Sequence, residues 1–267
     1  MCKASLNSGD IFCIIYRQSR NSLQTEVEVA LNMQKSTLLL AVLFLFALAI
    51  EASAQSTLMN VPSTDVVSAK KLYLEMDFIT NYAWERRDHF ENYIPRAVIG
   101  VGKNIEVGAN VSYTHVPGGG EPIELQPNAK WQFYNNEQNG IAAALGCIGY
   151  VPITHRAGAR TIAQCYGVAS KQLKGDHGPR FTGGAYALLN TRGTQKTKTG
   201  AIVGYEQPIV DKVDFIVDWF SGDNRFGYVS PALSFTTPHD GSLSLGYTIA
   251  NHGRGKNALF AYYGMQF

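Results

Sequence analysis

From residue 71 to the carboxy terminus, apolar and polar residues alternate along the chain, and this period of two constrains the fold more than any other feature. In Leu72-Tyr73-Leu74-Glu75-Met76-Asp77-Phe78 the even positions are apolar, while Glu75 and Asp77 share the other face. Ile105 to Tyr113 repeats the pattern in the odd phase, and Ile123 to Phe133 separates an apolar set from Glu124, Gln126, Asn128, Lys130 and Gln132. Leu243, Leu245, Tyr247 and Ile249 then alternate with Ser244, Gly246, Thr248 and Ala250. Successive side chains of a strand point to opposite faces, so alternation over eight or more residues is a strand signal, and no window sustains a helical period equally well. The chain is therefore expected to be all-β.

Turn residues divide it into strands near 70–82, 93–103, 105–115, 123–134, 140–151, 160–172, 181–190, 199–208, 213–221, 226–237, 242–250 and 258–267, about 12 in all. The segments 140–190 are rich in Ala and Gly, and their phase is ambiguous. Tight turns at Lys103-Asn104, Asn135 to Asn139 and Pro238 to Gly241 mark one end. The other end carries Trp84 to Asn92, Val116 to Gly120, Pro152 to Ala159, Thr191 to Lys198, Ser221 to Arg225 and Asn251 to Asn257.

Alternation alone does not say which face meets water. A soluble barrel hides its apolar phase, whereas a transmembrane barrel exposes it to lipid. Three observations favour lipid. Charged residues make up 16% of the chain, below the roughly 25% of soluble domains, and the mean hydropathy of -0.09 averages the two phases. Ser, Thr, Gly, Asn and Gln dominate the polar phase. The aromatics Trp84, Tyr93, Trp131, Phe133 and Trp219 gather near strand ends, where membrane interfaces select them. An up-and-down antiparallel barrel of about 12 strands over 70–267 is the expected fold, because only closure satisfies every backbone polar group in lipid.

The amino-terminal region reads as export machinery. Thr37 to Ile50 is an unbroken apolar run after Lys35, followed by Ala52-Ser53-Ala54. It is short for a membrane span but suits a signal peptide over 33–54 with cleavage after Ala54. Met33 is taken as the natural start, which makes residues 1–32 an extension arising from start-codon choice. Residues 55–69 are expected to form a short periplasmic segment ahead of the barrel.

The last strand, Ala258 to Phe267, ends on an aromatic residue with Tyr263 and Met265 in the same phase. It resembles the carboxy-terminal assembly signal of Gram-negative outer-membrane β-barrels, which implies recognition of Tyr263, Met265 and Phe267 by the barrel assembly machinery. Within that group, the Gly-rich strands and the tail Gly246-Tyr247-Thr248-Ile249 with Leu259 to Gly264 are similar to the transporters grouped with MetA-pathway phenol-degradation barrels. That resemblance implies uptake of small, including aromatic, compounds.

By phase, Glu75, Asp77, Arg96, Glu106, Glu124, Lys130, Asp214 and Asp218 would line the lumen. Acids outnumber bases six to two in this set, which favours cations if the groups are free and gives no selectivity if they pair. A narrow channel for small solutes is the leading expectation. The outer connections hold ten basic residues (Arg86, Arg87, Arg156, Arg160, Arg192, Lys196, Lys198, Arg225, Arg254, Lys256) against five acidic ones (Glu85, Asp88, Glu91, Glu121, Asp223). Such a rim suits the phosphates of lipopolysaccharide. The net charge of +2 gives no reason to expect nucleic acid.

A lipid hydrolase resembling the twelve-stranded outer-membrane phospholipase A is the alternative, but Tyr113-Thr114-His115 is followed by Pro117 and glycines where a nucleophile would be needed. A plugged structural barrel is a third reading. No catalytic, metal or cofactor residues are expected. Asp211, Asp214, Asp218 and Asp223 lack the Gly and terminal Glu of a calcium loop, and Gly100-Val101-Gly102 opens no helix. Cys147 and Cys165 would face each other in a hairpin, either as a disulfide or as two small unlinked residues.

Overall fold

The computed structural model describes residues 57–81, 89–154, 159–175, 177–192, 195–238, 241–252 and 257–267. The proposed extension and signal peptide, Trp84, and the rim residues Glu85, Arg86, Arg87, Asp88, Arg156, Arg254 and Lys256 lie outside them.

Twelve strands follow one another in chain order: β1 (Leu72–Thr80), β2 (Glu91–Gly102), β3 (Ile105–His115), β4 (Ile123–Asn136), β5 (Ile141–Pro152), β6 (Ile162–Gln172), β7 (Arg180–Leu189), β8 (Thr199–Val210), β9 (Val213–Phe220), β10 (Tyr228–Thr237), β11 (Gly241–Ala250) and β12 (Ala258–Gln266). Each pairs antiparallel with its neighbours, and β1 pairs with β12 to close the barrel. Phe267, the terminal residue, is part of the seam: its N–H donates to the Leu72 carbonyl at 2.7 Å, and the Leu72 N–H donates to its carbonyl at 3.0 Å.

Both ends of the strand series lie at one end of the barrel, the near end. The β2–β3 turn there is Lys103-Asn104, with φ of 54° and 57°. Positive φ at both central residues is what a two-residue hairpin needs to match strand twist.

The alternation resolves as an apolar outer face and an inner face that carries nearly all the polar and charged strand residues together with an apolar cluster. Met76, Ile99, Leu145, Val203, Leu233 and Leu245 are exposed, whereas Glu75, Asn110, Lys130, Gln164, Asp218 and Ser244 are buried. Outward aromatics form two bands. Trp131, Phe133, Phe181, Tyr205 and Tyr263 lie toward the near end, and Phe78, Tyr93, Tyr113, Trp219 and Tyr247 toward the far end. Several are in ring contact, including Trp131 with Phe133 at 5.9 Å and Phe181 with Tyr205 at 5.2 Å. Through β5 to β7 the even positions point inward, a phase the sequence leaves ambiguous because Ala and Gly occupy both faces.

Cys147 and Cys165 are direct cross-strand partners on the outward face, with Cα atoms 4.1 Å apart, and are joined in a disulfide. Glycines on the inner face make room for rings on the adjacent strand. A Cβ at Gly146 would strike the Tyr166 hydroxyl, one at Gly200 the Tyr186 ring, and one at Gly246 the Phe260 ring.

Gly146→Val should therefore reduce the heat resistance of the folded barrel, followed by its electrophoretic mobility shift after stepwise heating. Overpacking of this kind costs about 1–3 kcal/mol. Gly183→Ala, which meets open space, should behave as the parent; equal heat resistance of the two variants would contradict the packing assignment.

Candidate functional site

The lumen is the candidate site. Residues 57–69, read from sequence as a segment ahead of the barrel, run inside it. Thr57 bridges Pro62, and the Leu58 N–H donates to the Val61 carbonyl at 2.8 Å, making a tight turn. At the other end of the segment, Ala69 pairs with Gly100 of β2, and the Lys70 N–H donates to the Gly100 carbonyl at 2.8 Å. A Cβ at Gly100 would collide with the carbonyls of Val67 and Ser68, so a glycine is needed where the segment meets the wall.

Asp218 of β9 fastens the turn. Its Oδ2 accepts the N–H groups of Met59 at 3.0 Å, Asn60 at 2.6 Å and Val61 at 2.8 Å. Leu58, Met59 and Val61 are each at most 1% exposed and pack against wall residues including Tyr166, Ile202 and Phe220. Full burial of such side chains contributes on the order of 5–9 kcal/mol for the three. The amide bonds gain less, because Asp218 must first be desolvated. Their loss would still be severe, leaving three buried N–H groups unpaired at about 1–3 kcal/mol each. Apolar burial thus supplies most of the holding energy, and Asp218 sets where the turn sits.

The rest of the segment is anchored lower in the lumen. Arg180 donates to Asp65 Oδ2 at 2.6 Å and to Thr64 Oγ1 at 2.8 Å, and its Nε lies 3.4 Å from Glu206. Thr64 shares a 2.6 Å hydrogen bond with Ser170, Gln132 donates to the Thr64 carbonyl at 3.0 Å, and the Val67 N–H donates to Glu106 Oε2 at 2.7 Å.

All eight sequence-derived lumen residues occupy inward-phase positions, and the structure brings most of them into pairs. Arg96 stands between Glu75 (3.3 Å) and Asp77 (3.1 Å), and it donates to Thr57 at 3.0 Å. Tyr73 donates to Glu75. Lys130 lies 3.1 Å from Glu106, its direct cross-strand partner. Glu124 receives both terminal nitrogens of Arg225 at 2.9 Å, and the Arg225 guanidinium also lies over the Tyr150 ring, 4.8 Å from its centre. Asp214 is half-buried on the same face of β9 as Asp218. Most of the acids are thus engaged, Glu75 and Asp77 by one arginine, Glu106 by Lys130, Glu124 by Arg225 and Asp218 by backbone amides, while acids still outnumber bases.

Arg180, Glu206, Arg225 and Gln164 are lumen residues that sequence reasoning missed. Arg180 and Glu206 lie near strand ends beside phase-poor stretches, and Arg225 belongs to a loop. At the outer rim Lys196 pairs with Asp223 at 2.9 Å. His115, weighed as a hydrolase residue, places Nδ1 3.3 Å from Glu121.

Beside and above the turn, a cavity of about 300 Å³ runs from the near-end pair Glu106 and Lys130, past Thr57, Met59 and Asn60, to the far-end residues Phe90, Arg225 and Phe226. It lies inside the wall, with residues of the 57–62 turn along one side. The geometry is that of a barrel whose lumen is partly filled by residues 57–69, with a hollow vestibule beside and above them.

No protein-family model matches the chain, and no curated protein matches it in sequence. The functional reading therefore rests on the barrel itself.

Asp218→Ala should loosen the turn while leaving the wall intact. Amide exchange at Met59, Asn60 and Val61 is expected to accelerate by about 100-fold, the factor corresponding to ~3 kcal/mol, with β9 and β10 amides unchanged. Unaltered exchange at 59–61 would refute the fastening role.

Proposed function

We propose that the chain is a channel of the Gram-negative outer membrane that passes small solutes, with its own residues 57–69 as the gate. The observation that carries this reading is the partly filled lumen: a hollow of mixed polar and apolar lining beside and above a segment that is docked inside the barrel by Asp218 and Arg180. Twelve strands enclose more space than a filled eight-stranded barrel and less than an open porin of 16–18 strands, so a passage of this calibre is narrow and easily closed by one segment.

The apolar belt between two aromatic bands supports placement in a bilayer. On this reading, export follows the amino-terminal signal, and Phe267 with Tyr263 and Met265 serves the assembly machinery. Membrane lipid surrounds the wall, and Arg160, Arg192 and Lys198 stand at the rim where lipopolysaccharide phosphates would lie. Because most lumen acids are engaged yet acids outnumber bases, a weak preference for cations is expected.

Planar-bilayer recording tests the proposal. The parent barrel should show small or brief conductance, and Asp218→Ala should raise the open fraction at least about tenfold, as expected when more than ~1.4 kcal/mol of closing energy is removed. Deletion of 57–62 should open it further. A folded Asp218→Ala barrel as silent as a folded deletion barrel would overturn the gated-channel reading.

A further inference from the structure

The vestibule has two walls of different chemistry. One arc, β2 to β4, presents the carboxamides Asn92, Asn110, Gln126 and Asn128. They are held in place by one another and by neighbours. Asn110 donates to Gln126 Oε1 at 3.2 Å, Asn128 to Asn110 Oδ1 at 3.4 Å, Gln126 to Glu124 at 3.0 Å, and Ser112 to Asn92 Oδ1 at 2.9 Å. Across the lumen, β9, the loop after it and β10 present the rings of Phe220, Phe226 and Tyr228.

One buried polar atom of the lining stands apart from the charge clusters and has no hydrogen-bond partner among the described residues. Gln164 is 2% exposed; its Oε1 accepts the Tyr150 hydroxyl at 3.0 Å, which fixes the amide and leaves Nε2 as an unused donor. The other two such atoms, on Asp77 and Arg96, belong to the cluster these residues form with Glu75, whose carboxylate lies 3.3 Å from Arg96 Nε. Buried polar groups are normally satisfied, so the unused Gln164 donor marks a place where a ligand or water would bond.

Three properties narrow the ligand. The charged groups of the lining are paired within the wall, which disfavours an ion. Six carboxamides, Asn60 included, are too many for an apolar molecule, which would strip their water and return no hydrogen bonds. The volume of about 300 Å³ lies at the lower limit of small-molecule sites, which excludes a long chain. A ring with hydroxyl groups at its edge and C–H groups on its face meets all three.

We propose that the vestibule binds an uncharged monosaccharide, with the sugar ring against Phe226 and Phe220 and its hydroxyls bonded to Gln164 and the β2–β4 carboxamides. This assigns a solute class to the channel reading and rests on it for transport, while binding itself does not require conduction.

Isothermal titration of the refolded full chain in detergent micelles tests the assignment, with D-glucose, D-galactose, D-glucuronate and phenol as probes. At least one of the two hexoses should bind saturably and displace neither the turn nor the wall. Gln164→Leu and Phe226→Ala should each weaken it by about tenfold, the effect of one good hydrogen bond or ring contact. Phe226 lies in a loop, so that variant tests the site even if Gln164→Leu fails to fold. Binding of neither hexose, stronger binding of phenol, equal binding of glucuronate, or hexose binding untouched by Phe226→Ala would each overturn the sugar assignment. A barrel that conducts in bilayers yet fails these titrations loses only the sugar; one that binds hexose yet never conducts keeps the site and loses the channel.

Discussion

Everything in this molecule depends on the backbone of its wall having no unpaired edge. An open sheet edge leaves a row of N–H and carbonyl groups without partners, and in the hydrocarbon proposed to surround this wall no water would replace them. Closure here is a matter of a few residues. β1 and β12 meet along Thr80 to Tyr73 and Leu259 to Gln266, and Leu72 with Phe267 finishes the seam. The terminal aromatic residue is therefore a structural member of the ring as well as its last residue.

Closing twelve strands creates a second requirement, because the enclosed space exceeds what side chains alone can fill. The chain meets it in two ways. Rings such as Tyr166 and Tyr186 lie over glycines of the neighbouring strand, thickening the wall, and residues 57–69 occupy part of the lumen. The buried ion pairs follow the same logic. Glu75, Asp77 and Arg96, or Glu106 and Lys130, gain little net stability once desolvation is counted, but each breaks badly if one member is lost. They act chiefly to offset part of the negative charge that the inward carboxylates bring.

The wall was readable from sequence because its signal is local. β3 and β4 alternate cleanly between large apolar and polar residues, and their expected limits of 105–115 and 123–134 lie close to those observed. β5 to β7 obeyed the same rule silently, since Ala142, Ala144, Gly167 and Gly183 say nothing about facing. The fate of 57–69 was not readable at all. Leu58, Met59, Val61 and Val67 show no period, and the groups that hold them, Asp218, Arg180 and Glu106, lie far along the chain. The pairing of lumen charges was hidden for a similar reason: alternation tells which face a residue occupies, but only the register between strands tells that Glu75 stands opposite Arg96. Arg225 reaches Glu124 from a loop, where no periodicity exists to read.

The segment inside the barrel is joined to β1 by Lys70 and Lys71 alone, with Ala69 already docked on Gly100. A tether this short keeps the turn at an effective local concentration of millimolar or above relative to its seat. A departure from the seat would thus be followed by return at a rate set by the chain and independent of the protein's concentration. On the proposed channel reading the segment is a built-in competitor for the lumen, and a solute would pass in the intervals between its returns.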